Sequence, residues 1–376
     1  MITNEPARSA LRSPGPTDAL VSLRWAPPPD GADEAALQAG LESIADRLSA
    51  GGLACLQERI YAHAPHVDRV LALRRAVWTP RGLDAGSPVT VIANRGCTEG
   101  PCAGVQILAV QPQEGERVVT VTSGRGRGRR LESGSLRAIF LADLRADPDA
   151  TDPLQQLFDR AVEALDAQGM SLRDVARTWL YVEQLLPTYD HLNRVRDAAF
   201  VAQGVKGGGR FLLEPPASTG IQGWHPRAAP CFLDLIAVTD GQQERPFDGI
   251  RPALQGEAWA YGSSFSRGMT LELGPRRLST ISGTASIGPR GRTLHVGDPT
   301  AQIQETLANI RSLLDIAGLT GHDGLWTMYF KNEAVWQAWR ALVDGGVEPA
   351  PPGAVAIYGD VCRDDLLFEV EVTVPG

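Results

Sequence analysis

The chain has 376 residues, 43% of them hydrophobic and 21% charged, and carries a formal net charge of −8; this is the composition of a globular protein of two to three domains. The acidic balance argues against a nucleic-acid backbone as partner, no stretch is long and apolar enough to cross a bilayer, and the start, Met1-Ile-Thr-Asn-Glu-Pro6, lacks the basic-then-apolar order of a signal peptide. Cys55, Cys97, Cys102, Cys231 and Cys362 show neither CxxC nor Cys/His ligand spacing, which predicts reduced thiols in a cytoplasmic protein and gives no metal site.

Self-similarity organises the chain. At the front, Asp33–Leu48 has apolar residues at helical spacing, Leu56–Tyr61 reads as a strand, Val67–Val77 as a second helix and Gly104–Val110 as a closing strand. The basic run Arg125-Gly-Arg-Gly-Arg-Arg130 reads as a glycine-rich surface turn. From Asp152-Pro153 the order recurs: a helix over Leu154–Leu165, Gly169, a strand over Ala176–Val182, a helix through Asn193–Phe200 and a closing strand over Cys231–Val238. It recurs again from Asp298-Pro299, with a helix over Ala301–Leu314, Gly318, a strand over Leu325–Phe330, a helix over Glu333–Val343 and the final strand. The prediction is an α+β protein of three units, each a sheet with two helices on one face, set about a pseudo-threefold axis and divided as 1–120, 121–250 and 251–376. Such a chain closes its own ring as a monomer or pairs as a small homo-oligomer.

Chemistry concentrates in the later units. On the final strand Leu367, Glu369 and Glu371 alternate with Phe368, Val370 and Val372, so the second set faces a core and the first faces elsewhere. A carboxylate so placed is either an ordinary solvated glutamate or a desolvated group able to act as a proton donor. Pro216-Ala-Ser-Thr-Gly-Ile221 offers hydroxyls and backbone N–H groups in a turn suited to a carboxylate, and Tyr261–Arg267 puts a phenol, hydroxyls and a guanidinium on a strand-like run. Ser282–Arg292 is a small-residue strand entering a basic turn, and Arg196 lies on a helix one turn from Phe200. Each has a structural alternative, since Ser, Thr and Gly are default turn formers. There is no nucleophile elbow, phosphate-cradling loop or dinucleotide fingerprint.

Taken in order, Arg177-Thr-Trp-Leu-Tyr181, Arg196-Asp-Ala-Ala-Phe200, Pro216–Ile221, Phe265-Ser-Arg267, Ile281–Ile287, Arg292–Asp298 and Val361–Glu369 resemble the chorismatase family, a branch of the Rid/YjgF superfamily. The resemblance runs from about Asp152 to the C-terminus, and the front matches only as a degenerate repeat. It implies Rid/YjgF-like (chorismate-mutase-like) units and an enzyme that releases pyruvate from chorismate without metal or organic cofactor. Glu369 matches the family's acid, which protonates the enolpyruvyl methylene. Arg196 and Arg267 match positions that hold the substrate's carboxylates, with Thr219 and Tyr261 as hydroxyl partners.

Gly283 and Cys362 resemble the pairing of the 3-hydroxybenzoate-forming branch, where glycine leaves room for the substrate ring to tilt. The hydrolytic branch, which yields 3,4-dihydroxycyclohexa-1,5-diene carboxylate, carries alanine at the position of Gly283 and no cysteine at that of Cys362. The wider Rid deaminases carry an arginine where this chain has Ala356, which weighs against a Rid-like imine hydrolase. A non-catalytic binder of aromatic acids is the remaining alternative.

Overall fold

The structure is a computed structural model that describes residues 19–84, 86–123, 126–242 and 244–376, the side chains of Ser123 and Tyr261 excepted. First come β1 (Leu20–Trp25), α1 (Glu34–Ala50), β2 (Ala54–Ala62), α2 (Val67–Trp78), β3 (Thr90–Ile92) and β4 (Cys102–Val110), whose strands form a four-stranded sheet ordered β1-β4-β2-β3. Next, β5 (Glu116–Ser123), β6 (Gly126–Ser133) and β7 (Leu136–Arg145) precede α3 (Pro153–Asp166), β8 (Val175–Val182) and α4 (Leu185–Ala202). After the short pair β9 (Lys206–Gly207) and β10 (Arg210–Phe211), β11 (Ala217–Gln222) and β12 (Cys231–Thr239) complete a six-stranded sheet, β11-β8-β12-β7-β6-β5. The last sheet, β13-β14-β15-β18-β16-β17, is built from β13 (Phe247–Gly249), β14 (Gly268–Leu273), β15 (Arg276–Ala285), β16 (Leu325–Phe330), β17 (Val355–Tyr358) and β18 (Phe368–Pro375), with α5 (Pro299–Ile316) and α6 (Glu333–Asp344) between strands.

The expected α+β architecture of three sheet-and-two-helix units is the one observed. In each unit the strand between the helices runs parallel to the strand after the second helix and antiparallel to the closing strand. Sheet membership puts the breaks at residues 111–115 and 240–246, ahead of the divisions expected at 120 and 250, because β5 and β13 pair with strands that follow them. The basic run is not a turn: residues 126–130 lie in β6, paired on both sides from Arg127 onward, while Arg125 lies outside the described residues. Gly128 permits this, since a Cβ there would sit 2.5 Å from the Phe140 carbonyl oxygen.

Local chemistry starts the repeats. Asp33, Asp152 and Asp298 each cap a helix by accepting from a backbone N–H in its first turn, a contact worth about 1 kcal/mol. Pro153 and Pro299 follow in the first helical position, where a missing N–H costs nothing. Each helix pair then covers one face of its sheet: Leu37 and Val70 over Ile60 and Ile107, Leu157 and Val195 over Leu180 and Leu233, Ile303 and Trp336 over Phe330 and Val370.

The opposite faces of the three sheets meet in a shared core that includes Leu108, Phe140, Ile236, Leu278 and the fully buried Tyr61, Tyr181 and Tyr329. Within it sits an ionic cluster drawn from all three sheets. Glu371 of β18 accepts from Arg59 of β2 at 3.3 Å, Arg177 of β8 at 2.6 Å, the Tyr329 hydroxyl at 3.0 Å and the Thr219 hydroxyl. Both guanidiniums also lie over the Trp179 ring, 4.1 and 4.4 Å from its centre. Removing one partner of a buried pair strands the other charge, at about 3–5 kcal/mol. Glu371→Gln should therefore lower unfolding free energy by about that much in urea titration; a loss below about 1 kcal/mol would show that the cluster is not a stabilising tie.

Candidate active site

Between the second and third sheets a cleft is lined by Arg196, Ser218, Arg267, Gly283, Cys362 and Glu369. Five of the seven residues singled out from sequence thus converge, although they come from α4, the approach to β14, β15, the loop before β18 and β18 itself. The free space is about 50 Å³, room for one or two waters.

Glu369 lies opposite Tyr329 on β16 and Ala285 on β15, and is 4% exposed. The alternation on the final strand holds, but both faces are buried: Phe368, Val370 and Val372 meet the helices, while Glu369 and Glu371 enter the space between sheets. Burial is the main force raising the Glu369 carboxyl, to about 8; the neighbouring Glu371 charge adds to it, against the pull of Arg267 and Arg177. This shift favours the protonated carboxyl at neutral pH.

The cationic wall is built around Phe265. Arg196 and Arg267 approach its ring, at 5.8 and 5.5 Å from the centre, and both are buried. Arg196 donates to Asn193 Oδ1 at 2.6 Å, while its buried Nε has no hydrogen-bond partner. Burial holds the Arg196 pKa below the ordinary value. Cys362 is half-buried, and its thiol is pushed up to about 12, first by burial and then by the Glu369 charge, so it stays a neutral thiol.

Gly283 has a different neighbour from the one expected. A Cβ at this position would lie 2.2 Å from Glu369 Oε1 and 3.1 Å from Thr219 Cγ2. The room left by the missing side chain is occupied by the carboxyl group itself. Thr219 does not line the cleft: its hydroxyl bonds Glu371, accepts from Arg177 at 2.7 Å and accepts from the Gly283 N–H at 2.9 Å. Ser218, its neighbour on β11, faces the cleft instead. Tyr261 ends a 3-10 turn, Ala258–Tyr261, rather than lying on a strand, and its side chain is outside the described residues.

Tyr189, Ser218 and Phe265 also line the cleft and were not singled out by role. Ser218 is recoverable from strand alternation with Gly220, whereas Tyr189 lies seven residues before Arg196 on α4, the spacing of one helix face. Among the described residues, no group of three His, Cys, Asp or Glu side chains is arranged to hold a metal ion.

No protein-family model matches the sequence. Among solved structures, a chorismatase crystal structure superposes with a TM-score of 0.60 and 18% identity, covering 85% of this chain and 92% of its own. The YjgF gene product of E. coli aligns over 34% of this chain and 97% of its own (21% identity, TM-score 0.26). E. coli TdcF with bound serine does so over 34% and 97% (18% identity, TM-score 0.26). The first of these likenesses establishes the fold as chorismatase-like.

Two outcomes follow from the geometry. Gly283→Ala should turn the Glu369 carboxyl away from its present position, visible in a crystal structure of the variant; an unmoved carboxyl would mean the backbone yields instead. Folded Glu369 keeps its proton up to about pH 8, whereas an unfolded glutamate loses it near 4.5. The folded chain therefore holds the extra proton across that window, and this group's contribution to stability falls as pH rises through it. Glu369→Gln should gain on the parent between about pH 5 and about pH 8.5; a pH-independent difference in denaturation midpoints would refute the raised pKa.

Proposed function

We propose that the chain is a chorismatase that converts chorismate to pyruvate and 3-hydroxybenzoate. The observation that carries this reading is a buried Glu369 facing two buried guanidiniums across one cleft. Chorismate is a dicarboxylate with an enol ether, so it needs cationic anchors and a proton donor together, and guanidinium is the side chain that pairs best with carboxylates. Arg196 and Arg267 take the carboxylates, and Glu369 delivers its proton to the enolpyruvyl methylene. The ether carbon becomes an oxocarbenium centre, and a donor with a pKa near the working pH suits that step.

Formation of 3-hydroxybenzoate and pyruvate adds no atoms to chorismate, whereas the hydrolytic alternative consumes one water. A narrow cleft with a neutral thiol and little room for water favours the intramolecular course, through an epoxide-like intermediate that aromatises. The ring of the substrate exceeds the space present, so binding requires a wall to move. The least regular wall is the segment over residues 250–267, which carries Phe265 and Arg267.

The test is incubation of the purified chain with chorismate, with products identified by chromatography and mass detection. Pyruvate with 3-hydroxybenzoate is expected; pyruvate with the dihydrodiol would keep the reaction class and overturn the branch, and no consumption would overturn both. Glu369→Gln should cost about 10²–10⁴-fold in turnover, with substrate binding kept; a loss under tenfold would remove Glu369 from the mechanism. Gly283→Ala should move product toward the dihydrodiol, because the displaced carboxyl opens space for water; an unchanged ratio would refute this role.

A further inference from the structure

The junction between the first and second sheets repeats the geometry of the cleft just described. On β8, Trp179 lies between Thr219 and Asp234, and on β2, Arg59 lies between Thr90 and Gln106, so Thr90 occupies the place of Thr219. The Thr90 hydroxyl donates to Asp234 at 2.6 Å and accepts from the Asp143 N–H at 3.1 Å, as the Thr219 hydroxyl bonds Glu371 and accepts from Gly283. The same bulge interrupts both sheets, between Leu233 and Leu235 opposite β7 and between Ile281 and Thr284 opposite β18. In the hairpins beside it, Gly128 opposes Leu141 as Gly268 opposes Ile281, which places Arg127 where the other junction has Arg267. The acid is not repeated. Phe232 faces Tyr181 across the strands as Glu369 faces Tyr329.

At this junction lies a cleft of about 520 Å³, lined by Arg127, Arg145, Arg227, Asp143, Ser87 and Thr122. The volume is that of a small-molecule site. Arg145 pairs with Asp143, whose other oxygen lies 2.8 Å from His225 Nε2. Among the described residues, Arg127 and Arg227 have no side-chain ion pair or hydrogen bond. Three guanidiniums against one carboxylate leave the cleft cationic, with hydroxyls at hand.

We propose that this cleft binds a small carboxylate-bearing anion and, lacking a proton donor at the position of Glu369, holds it without turnover. Guanidinium forks match carboxylate geometry, and the hairpin that presents Arg127 is the counterpart of the one that presents Arg267. The proposal does not depend on the identity of the substrate at the other junction.

The test is calorimetric titration of the full chain with malonate, and separately with inorganic phosphate. Arg127 and Arg227 are exposed, so Arg127→Ala/Arg227→Ala should fold, which circular dichroism checks. Malonate should still bind the Arg196→Ala variant, whose other cleft has lost an anchor, and adding the double substitution to that variant should weaken binding about tenfold or more. Unchanged binding after that addition, loss on Arg196→Ala alone, or no binding at millimolar malonate would each overturn the proposal. Binding of phosphate with malonate excluded would overturn the carboxylate assignment.

Discussion

The carboxylate of Glu371 is the point on which the rest of the molecule depends. It is 3% exposed and is shared by a guanidinium from the first sheet, another with a hydroxyl from the second, and a phenol from its own. A buried charge is tolerated when its lone pairs are satisfied and its counter-charges are close. Here the satisfying groups come from strands of all three sheets, so the cluster ties the three together at one point. Arg177 shows what this arrangement costs: its pKa is lowered to about 10, chiefly by burial, and its Nε and Nη1 have no hydrogen-bond partner.

The same charge acts on the candidate acid. Glu369 and Glu371 are two positions apart on one strand and share a face, so the negative charge held at Glu371 disfavours a second one at Glu369. The cationic groups near Glu371 are occupied by it, and the wall facing Glu369 is left with Arg196 and Arg267 beyond Phe265. One strand thereby places two carboxyl groups in unlike environments, Glu371 among guanidiniums and Glu369 where burial raises its pKa, an arrangement that suits the proposed proton donor.

Much of this was legible in the residues. The two Asp-Pro starts, the helical periodicity after them and the alternation at Phe368–Val372 were local, and local patterns survive folding. The convergence of Arg196, Arg267, Gly283, Cys362 and Glu369 rested on a family resemblance, because nothing in their spacing places them together. What escaped were features settled by distant partners. Arg59 and Glu371 are 312 positions apart, and Thr219 reads as a free hydroxyl until its three buried partners are known. The basic run over 126–130 read as a turn because its glycines mask a strand paired on both sides. Gly283 was read for what it makes room for in the substrate, whereas its nearest occupant is a side chain of the same chain.

The third junction, between the last sheet and the first, has followed a different course. There Gly104 faces Tyr61 and Val355 stands where the other junctions have Thr219 and Thr90. A Cβ on Gly104 would lie 2.5 Å from Val355 Cγ2, so an aliphatic side chain fills the space that a carboxyl occupies beside Gly283. Gln106 replaces the two buried acids and bonds the Trp326 carbonyl at 2.8 Å. In a ring of three identical subunits any substitution appears at every junction at once. Joining the units in one chain removes that constraint: one junction can be filled as ordinary core and another can keep its cations, while a single one retains the acid.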